Sequence, residues 1–381
     1  MRFPRRAFVL TSAALVLGGC SLVISFDRSL VDEGRGSPAT AVADEDATAP
    51  APLDAADAPD AFDGALPATN MFIVAVGGLR NGLEKNDVYV TRINGDGTLA
   101  PWTTAAPFPV ARLSVGISAV GSSILVTGGA GDEAVAKTTY VGSFSGGTVT
   151  GWLESTPLPN DLFRHGSFAH GGRIYLVGGE DGADLRSDVL VATPLPSGGS
   201  GAWTTTESMP RGRTAGVVVA SGNHVYVVGG AESEDGGTVN TGAGLAADLL
   251  ADGGVMGWRA VTSLPFVTTY AAGAATSTQL FVSGGYGAPS GFTAVVSAPI
   301  VANGALGGWS IASPLNIGRA GHAMIVARGR LYVIGGQQQG GVDSDSVELA
   351  DINPDGTLTP FRQTSRLPSG RAFIGATLVE P

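Results

Sequence analysis

The chain has 381 residues, of which 58 are glycine, roughly twice the share usual in soluble proteins. Charged residues make up 14% and hydrophobic residues 44%, which excludes a disordered chain of high charge and low hydrophobicity. Long helices and coiled coils are disfavoured because each glycine inside a helix costs about 1 kcal/mol relative to alanine. The net charge of −11 argues against nucleic acid as a partner, since phosphate binding needs clustered basic residues. An all-β protein with many tight turns remains.

Residues 1–19 have the layout of a secretory signal peptide. Residues 1–6 contain three arginines, and residues 7–17 carry no charge. This run is too short to stay in a bilayer as a spanning helix, which needs about 20 apolar residues. It ends in Leu17-Gly-Gly-Cys20, which resembles the lipobox of bacterial lipoproteins. The resemblance implies cleavage before Cys20 and acylation of that residue.

The position after the single cysteine bears on the cellular location. Ser21 follows Cys20, where lipoproteins retained at the inner membrane of some bacteria have aspartate. The resemblance therefore favours a lipid-anchored protein of the bacterial cell envelope, in the outer membrane, with the bilayer as its partner through acylated Cys20. The alternative is an ordinary signal peptide in which the cysteine has no special role.

Residues 20–69 are predicted to be the acylated cysteine followed by a disordered tether. From Gly34 onward the segment consists mainly of alanine, aspartate, proline and threonine, with almost no aromatic or β-branched residues. Such a composition buries too little apolar surface to offset the entropy lost on ordering. We expect the tether to hold a folded domain away from the lipid surface.

Six repeats occupy the remainder, residues 70–381. Each contains a short β-forming segment that ends in two glycines: Gly77-Gly78, Gly128-Gly129, Gly178-Gly179, Gly229-Gly230, Gly284-Gly285 and Gly335-Gly336. The first glycines are separated by 51, 50, 51, 55 and 51 residues. An aromatic residue follows each pair at a similar offset: Trp102, Trp152, Trp203, Trp258, Trp309 and Phe361. All five tryptophans of the chain fall in this one register.

This repeat resembles that of the kelch family, including propellers of the galactose oxidase type, whose unit of about 50 residues forms one four-stranded blade. The resemblance covers residues 71–381 and implies an all-β, six-bladed kelch-type β-propeller. The glycines would permit positive φ and close backbone approach, and the aromatics would fill the space between blades.

The chain ends predict how the ring closes. The first unit begins directly at the strand Met71–Val76, and the last unit ends in one strand, 372–379, with no partner strand after it. We expect this C-terminal strand to complete blade 1, which removes an exposed sheet edge.

Arginines recur in the repeat and form the candidate ligand-binding set. Arg112, Arg213 and Arg319 lie 16 residues before the first glycine of their pair, Arg371 holds the matching place in the closing strand, and Arg164 lies 14 before. Blade 5 has Thr268 instead. One hypothesis is a funnel that binds an acidic sugar or a carboxylate-bearing peptide, since guanidinium groups bind carboxylates bidentately. The alternative, favoured by recurrence with the repeat, is a scaffold role.

Catalytic and metal-binding motifs are mostly missing from the sequence. It has no phosphate loop, no G-x-S-x-G elbow and no H-E-x-x-H. His165 and His322 occupy equivalent positions in blades 3 and 6, which lie on opposite sides of a six-bladed ring. Cys20 is the one cysteine, so the copper chemistry of galactose oxidase, which uses a tyrosine–cysteine cross-link, is not expected. We therefore expect no metal and no cofactor.

Two functions remain open. The first is a non-catalytic binding module that recognises a glycan, a peptide or an envelope protein. The second, implied by the kelch resemblance, is a metal-free sugar mutarotase or epimerase, because bacterial N-acetylneuraminate mutarotase is a six-bladed kelch protein. Such an enzyme needs an acid/base pair, and no recurrent acid accompanies the arginines.

Overall fold

The computed structural model describes residues 70–131, 134–195, 199–234 and 237–381. The predicted signal peptide, Cys20 and the tether lie outside the described residues. Within them, six antiparallel sheets have four strands, and we call these sheets blades 1–6. The predicted all-β class is confirmed.

Each blade is a simple meander whose strands pair with their neighbours. Blade 1 contains Met71–Val76, Val88–Ile93, Thr103–Thr104 and Gly375–Val379; blade 2 contains Gly116–Val120, Ser123–Thr127, Thr139–Ser145 and Thr148–Ser155. Blade 3 contains Gly166–His170, Arg173–Val177, Val189–Ala192 and Thr204–Thr205; blade 4 contains Val217–Ser221, His224–Val228, Gly244–Leu249 and Val255–Val261. Blade 5 contains Ala272–Ala275, Gln279–Ser283, Val295–Pro299 and Ser310–Ile311; blade 6 contains Ala323–Ala327, Arg330–Ile334, Val347–Asp351 and Arg362–Gln363.

Shorter elements decorate the loops between these strands. Two-stranded hairpins pair Leu79–Arg80 with Leu83–Glu84 and Ala130–Gly131 with Ala134–Val135, and a three-stranded sheet joins Arg213–Thr214, Ala231–Glu234 and Gly237–Asn240. The helical turns are Pro289–Phe292 and Ala302–Gly304. In the part of the chain that the structure describes, no helix is both long and apolar enough to cross a membrane.

The blades form a closed ring. The first strands of blades 2 to 6 contact one another in chain order, and the strand Gly375–Val379 contacts both the first strand of blade 6 and that of blade 2. Gly375–Val379 also pairs antiparallel with Met71–Val76, with Phe72 opposite Val379 and Val76 opposite Gly375. The predicted closure of blade 1 by the C-terminal strand is confirmed. The arrangement is that of a β-propeller.

The hydrophobic core lies between blades and not within them. The described residues form six apolar clusters, and each contains side chains from two adjacent blades. In blade 3, Ile174 and Leu176 pack towards blade 2, whereas Tyr175 and Val177 pack towards blade 4. Strand alternation thus gives every blade two apolar faces, and each face is covered only when the ring is complete.

The glycine pairs are needed where strands end close to the next blade. Gly128 has φ +58°, and a Cβ there would lie 2.0 Å from the carbonyl oxygen of Leu162. The following residue, Gly129, donates its N–H to that same carbonyl at 2.9 Å. The close approach is therefore a hydrogen bond between blades 2 and 3 that a side chain would prevent.

Candidate functional site at the axial mouth

One residue per blade forms a ring around the propeller axis. These six residues lie two positions before the innermost strands begin, and all have φ between +50° and +59°: Ser114, Arg164, Ala215, Tyr270, Gly321 and Phe373. The N–H of each donates to the carbonyl of the corresponding residue in the preceding blade, at 2.6–3.2 Å, and the N–H of Ser114 closes the cycle on Phe373. The blades are thus joined by a closed cycle of six backbone hydrogen bonds.

This ring surrounds a pocket of about 130 Å³, which we call the axial mouth. Its lining consists of the six ring residues and the next residue of each blade, namely Val115, His165, Gly216, Ala271, His322 and Ile374. The volume suits one small polar group and is below the range of about 300–1,000 Å³ common for whole ligands.

Backbone strain is concentrated at the axial mouth. A left-handed conformation costs a residue with a Cβ roughly 1–2 kcal/mol, and bulky residues adopt it rarely. Arg164, Tyr270 and Phe373 all adopt it here. The cyclic hydrogen bonds maintain this conformation, and strain maintained in this way is characteristic of functional sites. At the equivalent Gly321, a Cβ would lie 2.7 Å from the Phe373 ring, so the aromatic ring covers that position.

Arg164 is the cation of the axial mouth. Its Nη1 donates to Glu180 at 2.7 Å, and the side chain is 33% exposed. The guanidinium lies 4.6 Å from the centroid of the Phe163 ring and 5.3 Å from that of Tyr270. Its Nε is buried without a hydrogen-bond partner in the described residues. The cation is therefore held between aromatic rings with donors that Glu180 does not use.

Two histidines line the same pocket although they lie on opposite blades. The Nε2 of His165 is 2.9 Å from Thr127 Oγ1, and that of His322 is 2.8 Å from Ser283 Oγ. Burial lowers the pKa of His165 to about 3 and holds the pKa of His322 well below its ordinary value. Both imidazoles are therefore neutral at physiological pH, and each has a buried Nδ1 without a partner in the described chain.

The other four candidate arginines do not line the axial mouth. Arg112, Arg213, Arg319 and Arg371 are at most 8% exposed. The Nη1 atoms of Arg112, Arg213 and Arg319 donate to the carbonyl of the first glycine of their own pair, at 3.0, 2.9 and 2.6 Å. Three of the four also pair with acids: Arg213 with Glu232, Arg319 with Glu348 and Arg371 with Asp87. These contacts agree with the scaffold alternative, and of the five candidate arginines Arg164 is the one that lines the axial mouth.

Blade 5 shows why threonine replaces arginine there. Thr268 Oγ1 donates to the carbonyl of Gly284 at 3.1 Å, the same bond that the arginines make. Blade 3 has Leu162 at this position and makes no such bond. Arg164 lies two residues later, at the ring position, and so is not equivalent to the other four.

Sequence reasoning missed most of the axial mouth. The ring positions carry Ser, Arg, Ala, Tyr, Gly and Phe, which share no chemistry and therefore give no motif. Register within the repeat was the available signal, because all six positions align 14 residues before a glycine pair or at the matching place in the closing strand. No group of three or more potential metal-ligating side chains was found among the residues that the structure describes.

Comparisons with known proteins bear on the fold alone. No protein-family model matches the chain, and no curated protein matches it. Among the solved structures that match, one is titled "Structure of YjhT". It is 17% identical to this chain, with a TM-score of 0.59, and the match covers 78% of this chain and 99% of that one. At this identity the likeness supports a kelch-like β-propeller and no particular activity.

Proposed function

We propose that the chain is a non-catalytic binding module: a six-bladed kelch-type propeller, anchored to the bacterial outer membrane through acylated Cys20, whose axial mouth binds a carboxylate. The carboxylate would belong to an acidic glycan or to a peptide, including one of an envelope protein. This proposal rests on Arg164, which has a left-handed backbone and a partly exposed guanidinium and lies in a pocket lined by all six blades.

The donors of Arg164 support a carboxylate as the bound group. Glu180 accepts from Nη1 at 2.7 Å and also from Thr214 Oγ1 at 3.0 Å, so its position does not depend on the arginine alone. A ligand carboxylate could therefore bind the remaining donors without leaving Glu180 unpaired. A pocket of about 130 Å³ suits a carboxylate, and the rest of the ligand would lie outside this pocket.

Aromatic residues beside the mouth support a ligand with an apolar face, such as a sugar ring. Tyr270 lies 5.1 Å from Phe373 and 5.6 Å from Tyr286, measured between ring centroids, and Tyr286 lies 5.5 Å from Phe292. Burial raises the pKa of Tyr270 and Tyr286 to about 12, so both remain neutral hydroxyl-bearing rings at physiological pH. Such rings combine apolar surface with a polar group.

An enzymatic alternative, a metal-free sugar mutarotase, takes its support from the placement of His165 and His322 in the pocket of Arg164. The lowered pKa values of these histidines favour a binding module over an enzyme. An efficient general base has a pKa near the working pH, whereas burial lowers the pKa of His165 to about 3. The binding module is therefore the main proposal.

The test uses N-acetylneuraminate and a panel of acidic and neutral glycans with the full chain. We expect acidic glycans to bind, and Arg164→Gly to weaken this binding at least tenfold while keeping the fold, since glycine suits the left-handed position. Arg366→Ala, which removes an exposed arginine paired with Asp345 at 3.3 Å, is the charge-matched control. Equal binding by wild type and Arg164→Gly would contradict the proposed site, and faster anomerisation of the sugar would establish the enzymatic alternative.

The proposed anchor is tested separately from the ligand. Labelled palmitate should enter the wild-type protein and fail to enter Cys20→Ser when both are expressed in bacteria. Equal labelling of the two proteins would refute acylation at Cys20 and would leave the carboxylate site untouched.

A further inference from the structure

Blade 3 contains a pocket at the place where other blades hold a buried arginine. The pocket has a volume of about 240 Å³, and Leu162, Gly178 and Asp188 are among its lining residues. Leu162 occupies the register of Arg112, Arg213 and Arg319, and Gly178 is the first glycine of its pair, whose equivalents accept those guanidinium groups. We call this pocket the blade 3 slot.

The repeat itself shows what group this place accommodates. In blade 6, Arg319 donates to the carbonyls of Gly335 and Ser346, at 2.6 and 3.1 Å. In blade 4, Arg213 donates to the carbonyls of Gly229 and Ala243, at 2.9 and 3.1 Å. In blade 3, Asp188 stands in the register of Ser346 and Ala243, since in each blade the first glycine donates its N–H to that residue.

The closing blade shows that an aspartate at this register pairs with such an arginine. Asp87 of blade 1 receives the N–H of Gly77 as Asp188 receives that of Gly178. Arg371 donates to the Asp87 carboxylate and, at 2.9 Å, to Tyr89. Blade 3 thus retains the acid at this register and has Leu162 in place of the arginine that pairs with it in blade 1.

The charges around the blade 3 slot favour a cation. Its charged lining residues are Asp161, Arg186 and Asp188. Arg186 donates from Nε and Nη2 to one oxygen of Asp188, Oδ2, at 2.8 and 2.5 Å, and from Nη1 to Asp181 at 3.3 Å. The single lining cation is therefore engaged with two acids, while Asp188 Oδ1 receives none of its bonds and Asp161 adds a further negative charge.

We propose that the blade 3 slot binds a guanidinium group, either of a free guanidinium compound or of an arginine side chain in a peptide. The group would donate to the Gly178 carbonyl, as Arg319 does to that of Gly335, and to Asp188, as Arg371 does to Asp87. Leu162, Leu176 and Leu190 form the apolar wall against which the stem of an arginine would pack. This site is separate from the axial mouth and binds the opposite charge.

The test is calorimetric titration of the full chain with methylguanidinium and with N-acetyl-L-arginine amide, using methylammonium as the control probe. We expect binding of the guanidinium probes and at least tenfold weaker binding of methylammonium, since an ammonium lacks the planar pair of donors. Tighter binding of the arginine amide assigns the site to peptide-borne arginine, and tighter binding of methylguanidinium assigns it to a free compound. The absence of binding by both guanidinium probes overturns the proposal.

Two variants connect that binding to the slot. Leu162→Arg should fill the slot from within and abolish binding, and Asp188→Asn should weaken it at least tenfold. If Leu162→Arg does not fold, Leu162→Met, which lengthens the side chain without adding charge, should weaken binding by partial filling. Asp355→Asn, in an exposed turn of blade 6, is the control for loss of an acid. Wild-type affinity in a folded Leu162→Arg protein, or in Asp188→Asn, overturns the proposal.

Discussion

The indole Nε1 of Trp102 in blade 1 donates to the carbonyl of Ser365, which follows blade 6, at 3.0 Å and across 263 residues of sequence. The same bond joins the other blades: Trp152 to Ala106, Trp203 to Thr156, Trp258 to Glu207 and Trp309 to Thr262. In every case the acceptor lies four residues after the aromatic of the preceding blade. The seam between the chain ends therefore uses the same contact as four of the five interfaces between consecutive blades; the exception is blade 6, whose aromatic is Phe361.

Replacement of Trp102 by phenylalanine should destabilise the protein by about 0.5–1.5 kcal/mol. The variant keeps an aromatic ring but leaves the Ser365 carbonyl without its donor. Trp309→Phe should cost less because Trp309 is more exposed and water can replace the bond. Chemical denaturation of both variants measures the difference, and a larger loss for Trp309→Phe would contradict the explanation.

Deletion of residues 372–381 should be far more damaging than deletion of residues 34–60. The first removes the strand that pairs with Met71–Val76 and opens the apolar interfaces on both sides of blade 1. We expect a melting temperature at least about 10 °C lower, or failure to fold. The second deletion shortens the segment predicted to be a tether and should leave the melting temperature unchanged. Similar losses in the two truncated proteins would refute the importance of closure.

Alanine at Arg319 should cost about 3–5 kcal/mol, because it leaves the fully buried carboxylate of Glu348 without its cation. Arg112→Ala should cost less, about 1–3 kcal/mol, because Arg112 donates to the Gly128 carbonyl and forms no ion pair within the described residues. Denaturant unfolding of the two variants gives the order. Equal, negligible losses would restore the hypothesis that these arginines bind ligand.

Stability should fall as the pH is lowered from about 6.5 to about 3. The unfolded chain protonates His165 near pH 6.5, whereas burial lowers the pKa of this residue in the folded protein to about 3. Between these values the unfolded state binds more protons, so the free energy of unfolding rises with pH, by up to about 1.4 kcal/mol per pH unit for this group.

Replacement of His165 by glutamine should make this dependence less steep, because the amide does not titrate and can still bond Thr127, while the buried His322 continues to contribute in both proteins. The measurement compares the free energy of unfolding of the two proteins at several pH values between 3 and 7. Carboxylates contribute equally to both, so the difference isolates the histidine. Parallel curves would show that His165 is not buried as a neutral imidazole.

The sequence by itself was enough to establish the six repeats, the all-β class and the closure by the C-terminal strand. These features depend on local chemistry that recurs in register: glycine pairs that permit positive φ, apolar strands before them and an aromatic after them. The last strand has no partner within its own unit, and the first unit lacks its first strand, so blade 1 was the predicted partner. The pairing of Val76 with Gly375 confirms this prediction.

The tertiary structure alone decided which of the candidate arginines lines the axial mouth. The register within the repeat shows that Arg164 lies two positions later in its blade than Arg319 does in its own. It does not show that the left-handed backbone of Arg164 directs this residue to the axis, or that Arg319 is fully buried against Glu348. The tertiary structure also brought His165 and His322 to one pocket from opposite blades. The physical reason is that both outcomes depend on backbone direction and on partners in other blades, and spacing along the chain contains neither.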